Sequence, residues 1–112
     1  MSPSLFDFLK HIENECSFII RNINSKSKED FLEDEVMIRA IVRSLEIIGE
    51  ATKKLPLDFR LEHPEINWSE MTGMRDVLIH NYFGIDYDVV WNTIKIDIPE
   101  LHFHLVNIIN EK

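Results

Sequence analysis

"VMIRAIVRSLEIIGEA", residues 36–51, decides the fold. Placed on a helical wheel at 100° per residue, its four charged residues, Arg39, Arg43, Glu46 and Glu50, share one arc roughly 60° wide. Every other position is apolar or small: Val36, Met37, Ile38, Ala40, Ile41, Val42, Ser44, Leu45, Ile47, Ile48, Gly49 and Ala51. A helix on the surface of a bundle shows a narrower apolar stripe. A helix apolar most of the way round is buried on more than one side. In a chain of 112 residues, large enough for one core and not two, this predicts that one side packs the core and another packs a second copy. Gly49 would permit close backbone approach. The competing reading is a central helix in an unusually compact monomer.

Outward from this segment the helical period persists. Leu5, Phe8, Leu9, Ile12, Cys16, Ile19 and Ile20 form an i, i+3/i+4 stripe that predicts a first helix over about 3–23. The central helix is expected to run from about 28 to 54 and to stop near Pro56. "PLDFRLEHPEIN" reads as an irregular connector with room for one helical turn. Asn67, with Glu70 three residues on, has the spacing of a capping pair and opens a third helix that reaches about Tyr82 and stops at Gly84. Gly73 is a candidate division within it. Asp86 can cap a fourth helix, which Pro99 must kink or restart because proline lacks an amide donor. No stretch reads as a strand. The expected architecture is a single all-α domain over 1–112, a bundle of four main helices forming a homodimer, with the possibility of higher assembly left open.

Composition narrows the function. Twelve basic against 20 acidic residues give a net charge of −8, which argues against coating nucleic acid through bulk charge. A focused basic site remains compatible with that balance. No apolar run approaches the ~20 residues of a membrane-spanning helix. The N-terminal residues lack the pattern of a signal peptide, so a cytoplasmic location is expected. The lone Cys16 cannot form an internal disulfide and reads as a small buried hydrophobe. His102 and His104, two apart, point about 200° apart on a helix and make a poor metal pair. Neither a metal nor a cofactor is expected. Trp68, Trp91, Phe83 and Tyr87 read as core rather than base-stacking residues. His11 and His63 read as surface or boundary residues.

"MRDVLIHNYFG", residues 74–84, concentrates the chemistry. On an ideal helix Arg75 and His80 are about 140° apart and do not converge on a small target. Asp76 and His80, at i, i+4, share a face, so Asp76 could orient the imidazole. If two copies pack here, symmetry brings both arginines and both histidines into one groove. Such a set suits phosphodiester cleavage in RNA: histidine exchanges protons near neutrality, arginine grips phosphate, and the 2′-hydroxyl supplies the nucleophile. The bland reading of the same residues is an ion pair and a capping group. The ridge of Arg39, Arg43, Glu46 and Glu50 could line such a groove. It could equally be a ladder of surface ion pairs, Arg43 with Glu46 or Glu50 and Arg39 with Glu46.

"GMRDVLIHNYFGID" matches the R-x4-H-x-Y signature of the HEPN superfamily. With "RSLEIIGEATKKL" and "INWSEMTGMRDVLIHNYFGIDYDVVW" in the same order, it resembles the HepT toxins of prokaryotic toxin–antitoxin pairs over about residues 30–101. The resemblance implies a type VII-like system. In it Arg75 and His80 would be the catalytic pair of a metal-independent endoribonuclease formed across a dimer, acting on a tRNA or mRNA, with Asp76 supporting the site. Tyr82 would be the residue to which an MntA-type nucleotidyltransferase adds AMP, putting bulk and negative charge in the groove. The alternatives are a non-catalytic HEPN module binding a nucleotide or a partner protein, and an antitoxin-like partner.

Overall fold

The computed structural model describes residues 4–80 and 84–111, with the side chain of His80 outside the described set. Among these residues the helices are α1 Leu5–Ile23, α2 Lys28–Glu33, α3 Glu35–Lys53, α4 Leu57–Glu62, α5 Trp68–His80, α6 Tyr87–Asn92 and α7 Ile98–Asn110. A π-helical turn, Thr93–Asp97, joins α6 to α7, and no described residue lies in a strand. None of the helices is long and apolar enough to cross a membrane.

The long amphipathic helices build the core. Ser4 opens α1 with a capping box, its hydroxyl accepting from the Asp7 amide while the Asp7 carboxylate accepts from the Ser4 amide. Along α1 the buried face is Leu9, Ile12, Cys16, Ile19 and Ile23. It meets Ile41, Leu45 and Ile48 of α3 on one side and Ile98, Leu101, Leu105 and Ile108 of α7 on the other. The opposite flank of α3 packs on α5, so α3 is the central element. Cys16 is fully buried, and that burial pushes its thiol pKa up, consistent with a packing role.

Three local features depart from the periodicity. The expected helix over 28–54 is broken at Asp34, whose backbone (φ −97°, ψ 88°) leaves the helical region. The Asp34 carboxylate accepts from the Met37 amide at 3.0 Å, starting α3, while its own amide closes α2 onto the Phe31 carbonyl. The break turns Phe31 into the core against the ring of Trp91, with centroids 5.3 Å apart. Gly73 does not divide α5, which runs through it. Pro99 sits in the first turn of α7, where no amide donor is required, and the π-helical turn just before it accommodates the change.

The start of α5 is capped by Asn67, whose side-chain oxygen accepts from the Glu70 amide at 3.1 Å. Asp86 caps α6 by accepting from the Asp88 and Val89 amides. Trp68 is core, its indole N–H donating to the carbonyls of Arg60 and His63 in the α4 turn. Trp91 is half-buried, with Lys95 Nζ 5.4 Å from its ring centre. Tyr87 is exposed rather than core, because α6 turns that face outward over a groove. Phe83 lies outside the described residues.

With α1 on one flank and α5 on the other, part of the apolar surface of α3 still stays open. Val36 is 80% exposed, and Met37, Ile38, Val42 and Ile47 are half-buried. The apolar excess seen in the sequence is therefore only partly covered within one copy of the chain.

Candidate functional site

Arg75 lies in the middle of α5 and is seated directly on α3. A Cβ at Gly49 would clash with the Arg75 Cβ and come within 2.9 Å of both its Cγ and the Met71 carbonyl oxygen. The absence of a side chain at position 49 is what lets the two helices approach and places the guanidinium stem against the α3 backbone. The Arg75 side chain is 26% exposed. Its Nη1 donates to Asp76 Oδ1 at 3.2 Å, and its Nε is buried with no hydrogen-bond partner among the described residues.

Asp76 does more than face the next turn of its own helix. The same Oδ1 accepts from Lys53 Nζ, at the end of α3, at 2.7 Å. The ammonium of Lys53 and then the guanidinium of Arg75 hold the Asp76 carboxyl below the usual carboxylate range. Asp76 is thus a carboxylate shared by two permanent cations, one from each helix. The sequence reading missed Lys53, which is 23 residues from Asp76 and reaches it only through the α3–α5 packing. The Gly49 to Lys53 spacing, one helical turn, is the signal that was available.

His80 ends α5, and its side chain, like all of Tyr82, lies outside the described residues. The expectation that Asp76 orients the His80 imidazole therefore falls outside them too.

The charged ridge of α3 is divided between two depressions. Arg39 and Glu46 line a groove of about 680 Å³ with Leu32, Ile38, Val42, Leu78, Ile79, Ile85 and Tyr87, rimmed by Glu33 and Glu35. Arg43 and Glu50 line a shallower one of about 280 Å³ against α1, with Phe8, His11 and Lys54. Nor is the ridge an ion-pair ladder: Arg39 pairs backward with Glu35 at 3.1 Å, an i, i+4 partner in the favourable order. Ile79, one residue before His80, belongs to the larger groove, so that groove runs up to the end of α5.

The other histidines are held apart. His102 contacts Glu13 of α1 at 3.1 Å, and His104 faces Glu100 at 4.0 Å. His63 stacks on Phe59 and contacts Glu65. Among the described residues no group of three potential ligands could hold a metal ion.

Residues 12–108 match the family model for HepT-like proteins, described as ribonuclease HepT-like. The chain belongs to the HepT-like family. It is 50% identical over 105 residues to "Putative RNase TTE0752" of Caldanaerobacter subterraneus subsp. tengcongensis, covering 94% of each chain. It is 48% identical over 101 residues to "Probable ribonuclease HepT" of Thermococcus cleftensis, covering 90% of this chain and 92% of that one. A third relative, "Putative RNase MJ1216" of Methanocaldococcus jannaschii, is 42% identical over 107 residues, 96% of this chain and 85% of that one. No solved structure matches the chain. Membership of the HepT-like family agrees with the all-α architecture and covers the α3 and α5 segments that carry the candidate site.

Proposed function

We propose that this HepT-like protein is a metal-independent endoribonuclease and acts as the toxin of a toxin–antitoxin pair. The observation that carries the reading is the seating of Arg75 on Gly49, with Asp76 fixing its guanidinium beside Lys53. A permanent cation held rigidly at a helix–helix junction is prepared to stabilise the charge of a five-coordinate phosphorus. In the proposed reaction the RNA's own 2′-oxygen attacks phosphorus while the His80 imidazole takes its proton. The bond to the 5′-oxygen breaks as the second copy's His80 protonates that oxygen. The products are a 2′,3′-cyclic phosphate and a 5′-hydroxyl, and the nucleophile is internal, so the scheme requires no metal.

A second copy of the chain is part of this reading. Its support is the uncovered apolar surface of α3, with Val36 exposed and the groove of Leu32, Ile38, Val42 and Ile79 open beside it. With three carboxylates, Glu33, Glu35 and Glu46, against the one cation Arg39, this groove suits a protein surface better than an RNA backbone. Tyr82 is the proposed AMP acceptor and an MntA-type nucleotidyltransferase the proposed antitoxin, both resting on the family and the R-x4-H-x-Y spacing.

The test pairs intact mass with activity. Protein made without a nucleotidyltransferase is incubated with total RNA in EDTA, beside His80→Ala. Cleavage by the wild type that is absent in the variant is the expected result. A wild type of unmodified mass that cuts no RNA class would overturn the assignment.

A further inference from the structure

Lys53 stands apart from the other lysines engaged in ion pairs. Lys10, Lys26 and Lys28 pair with Glu13, Asp34 and Asp88, in each case without a second permanently charged partner among the described residues. The carboxylate that Lys53 meets is already held by Arg75, and both cations reach the same oxygen. Two positive charges and one negative leave the cluster with an excess positive charge, on a chain whose net charge is −8. Because Lys53 and Arg75 contact Oδ1 at 2.7 and 3.2 Å, their nitrogens are no further apart than those two distances together.

The two cations differ in freedom. Arg75 is wedged between Gly49 and Asp76 with its Nε buried. Lys53 is on the outer side, 42% exposed, on a flexible stem whose last hydrogen bond goes to a carboxylate that retains Arg75 if Lys53 leaves. An ammonium of that kind is a movable donor beside a fixed one. We propose that Lys53 forms a phosphate-binding subsite, swinging from Asp76 onto the backbone phosphate next to the one that Arg75 holds. Lys53 is then a positioning residue that sets where along the strand the scissile bond falls, while Asp76 keeps Arg75 in place. The subsite rests on the ribonuclease reading for its substrate, and its own content is a second phosphate contact supplied by α3.

The test measures binding separately from cleavage. Mixed-sequence 2′-O-methyl RNA, which lacks the attacking hydroxyl, is titrated against wild type, Lys53→Gln and Lys53→Arg over a series of salt concentrations. Melting curves confirm that all three fold. With the subsite in place, Lys53→Gln weakens binding about tenfold. It also flattens the slope of log affinity against log salt by about 0.7, the value for one single-strand phosphate. Lys53→Arg keeps the slope. On cleavable RNA the glutamine variant raises KM and leaves kcat nearly unchanged, whereas a lysine that only steadied Asp76 would lower kcat at constant KM. Unchanged affinity and slope in Lys53→Gln would overturn the subsite and leave the ribonuclease reading standing wherever the wild type still cuts in EDTA. A wild type that binds none of the oligonucleotides would also overturn the subsite, and the cleavage assay against His80→Ala would then decide the ribonuclease reading by itself.

Discussion

Gly49 on α3 and the Arg75 side chain on α5 meet so closely that position 49 has no room for a side chain: a methyl group there would clash with the Arg75 Cβ. It would also meet the Met71 carbonyl oxygen at 2.9 Å, so no side-chain rotation alone relieves the clash. Gly49→Ala must push α5 away from α3. Overpacking of this kind costs about 1–3 kcal/mol. The better helix propensity of alanine returns about 1 kcal/mol. Urea denaturation should therefore show a net loss of up to about 2 kcal/mol. RNA cleavage should fall further than the loss of folded protein explains, because the guanidinium moves with the helix.

Gly73 supplies the contrast on the neighbouring element. It lies within α5, is exposed, and a Cβ there meets nothing within 4 Å. The same glycine-to-alanine change should stabilise the fold by up to about 1 kcal/mol. Opposite signs for the two substitutions in one denaturation series would establish that close approach, and not helix propensity, is the reason for Gly49. Equal signs would remove that explanation.

These positions also mark what the sequence could and could not disclose. The period of α1, the Asn67–Glu70 and Asp86 caps and the all-α class follow from local patterns that need no tertiary information. The break at Asp34 was hidden because its cause is distant: Phe31 must turn inward to meet Trp91, some sixty residues along the chain, and no glycine or proline announces it. Lys53 was hidden for the same reason, since its partner belongs to another helix. The ridge of Arg39, Arg43, Glu46 and Glu50 was legible as one arc. Its division between two grooves depends on where α1, α2 and α5 dock.

Asp76 should make the site acid-sensitive. Its folded pKa is depressed by Lys53 and Arg75, so the stabilisation it provides is present above its ordinary value of 3.8 and is lost as pH falls through the lower folded value. Asp76→Asn removes that dependence and keeps the shape, but it releases the charge-assisted hold on Arg75. Thermal melts from neutral pH down into the acid range should show wild type and variant converging as the wild-type carboxylate is protonated. A variant whose melting temperature stays below the wild type's by a constant amount down to the lowest pH would show that the ion pairs contribute nothing.

The exposed apolar surface of α3 gives a prediction about assembly. Val36 makes little contact within its own chain, so Val36→Asp should leave the fold and its melting temperature nearly unchanged, within about 0.5 kcal/mol. If the proposed second copy covers this surface, burying a carboxylate there should weaken the dimer by at least about tenfold. Sedimentation velocity across a dilution series would detect the shift to monomer, and RNA cleavage should decline in parallel. Unchanged mass for the variant at every concentration would place the interface elsewhere.

Glu70 and Asp97 face each other at the far end of α5, where the first turn of that helix meets the π-helical turn, around a cavity of about 170 Å³ also lined by Glu65, Glu100 and His104. The hydrogen bond between the two carboxyl groups requires a proton. That bond, followed by burial and by the charges of Asp97 and Glu100, raises the Glu70 pKa above its ordinary 4.5. A raised folded value reverses the sign found for Asp76. This stabilisation is complete below the ordinary carboxylate range and is lost as pH rises through the folded value, leaving repulsion at neutrality. Glu70→Gln keeps a donor toward Asp97 without a charge to lose. It should therefore stabilise the fold at neutral pH by about 0.5 kcal/mol, or roughly 2 °C in melting temperature, and give no advantage at acid pH. Parallel melts of the two proteins at neutral and acid pH read this directly. A variant less stable than the wild type at neutral pH would mean that the ionised Glu70 has a favourable partner, with its contact to the Asn67 side-chain amide at 3.1 Å the one to examine.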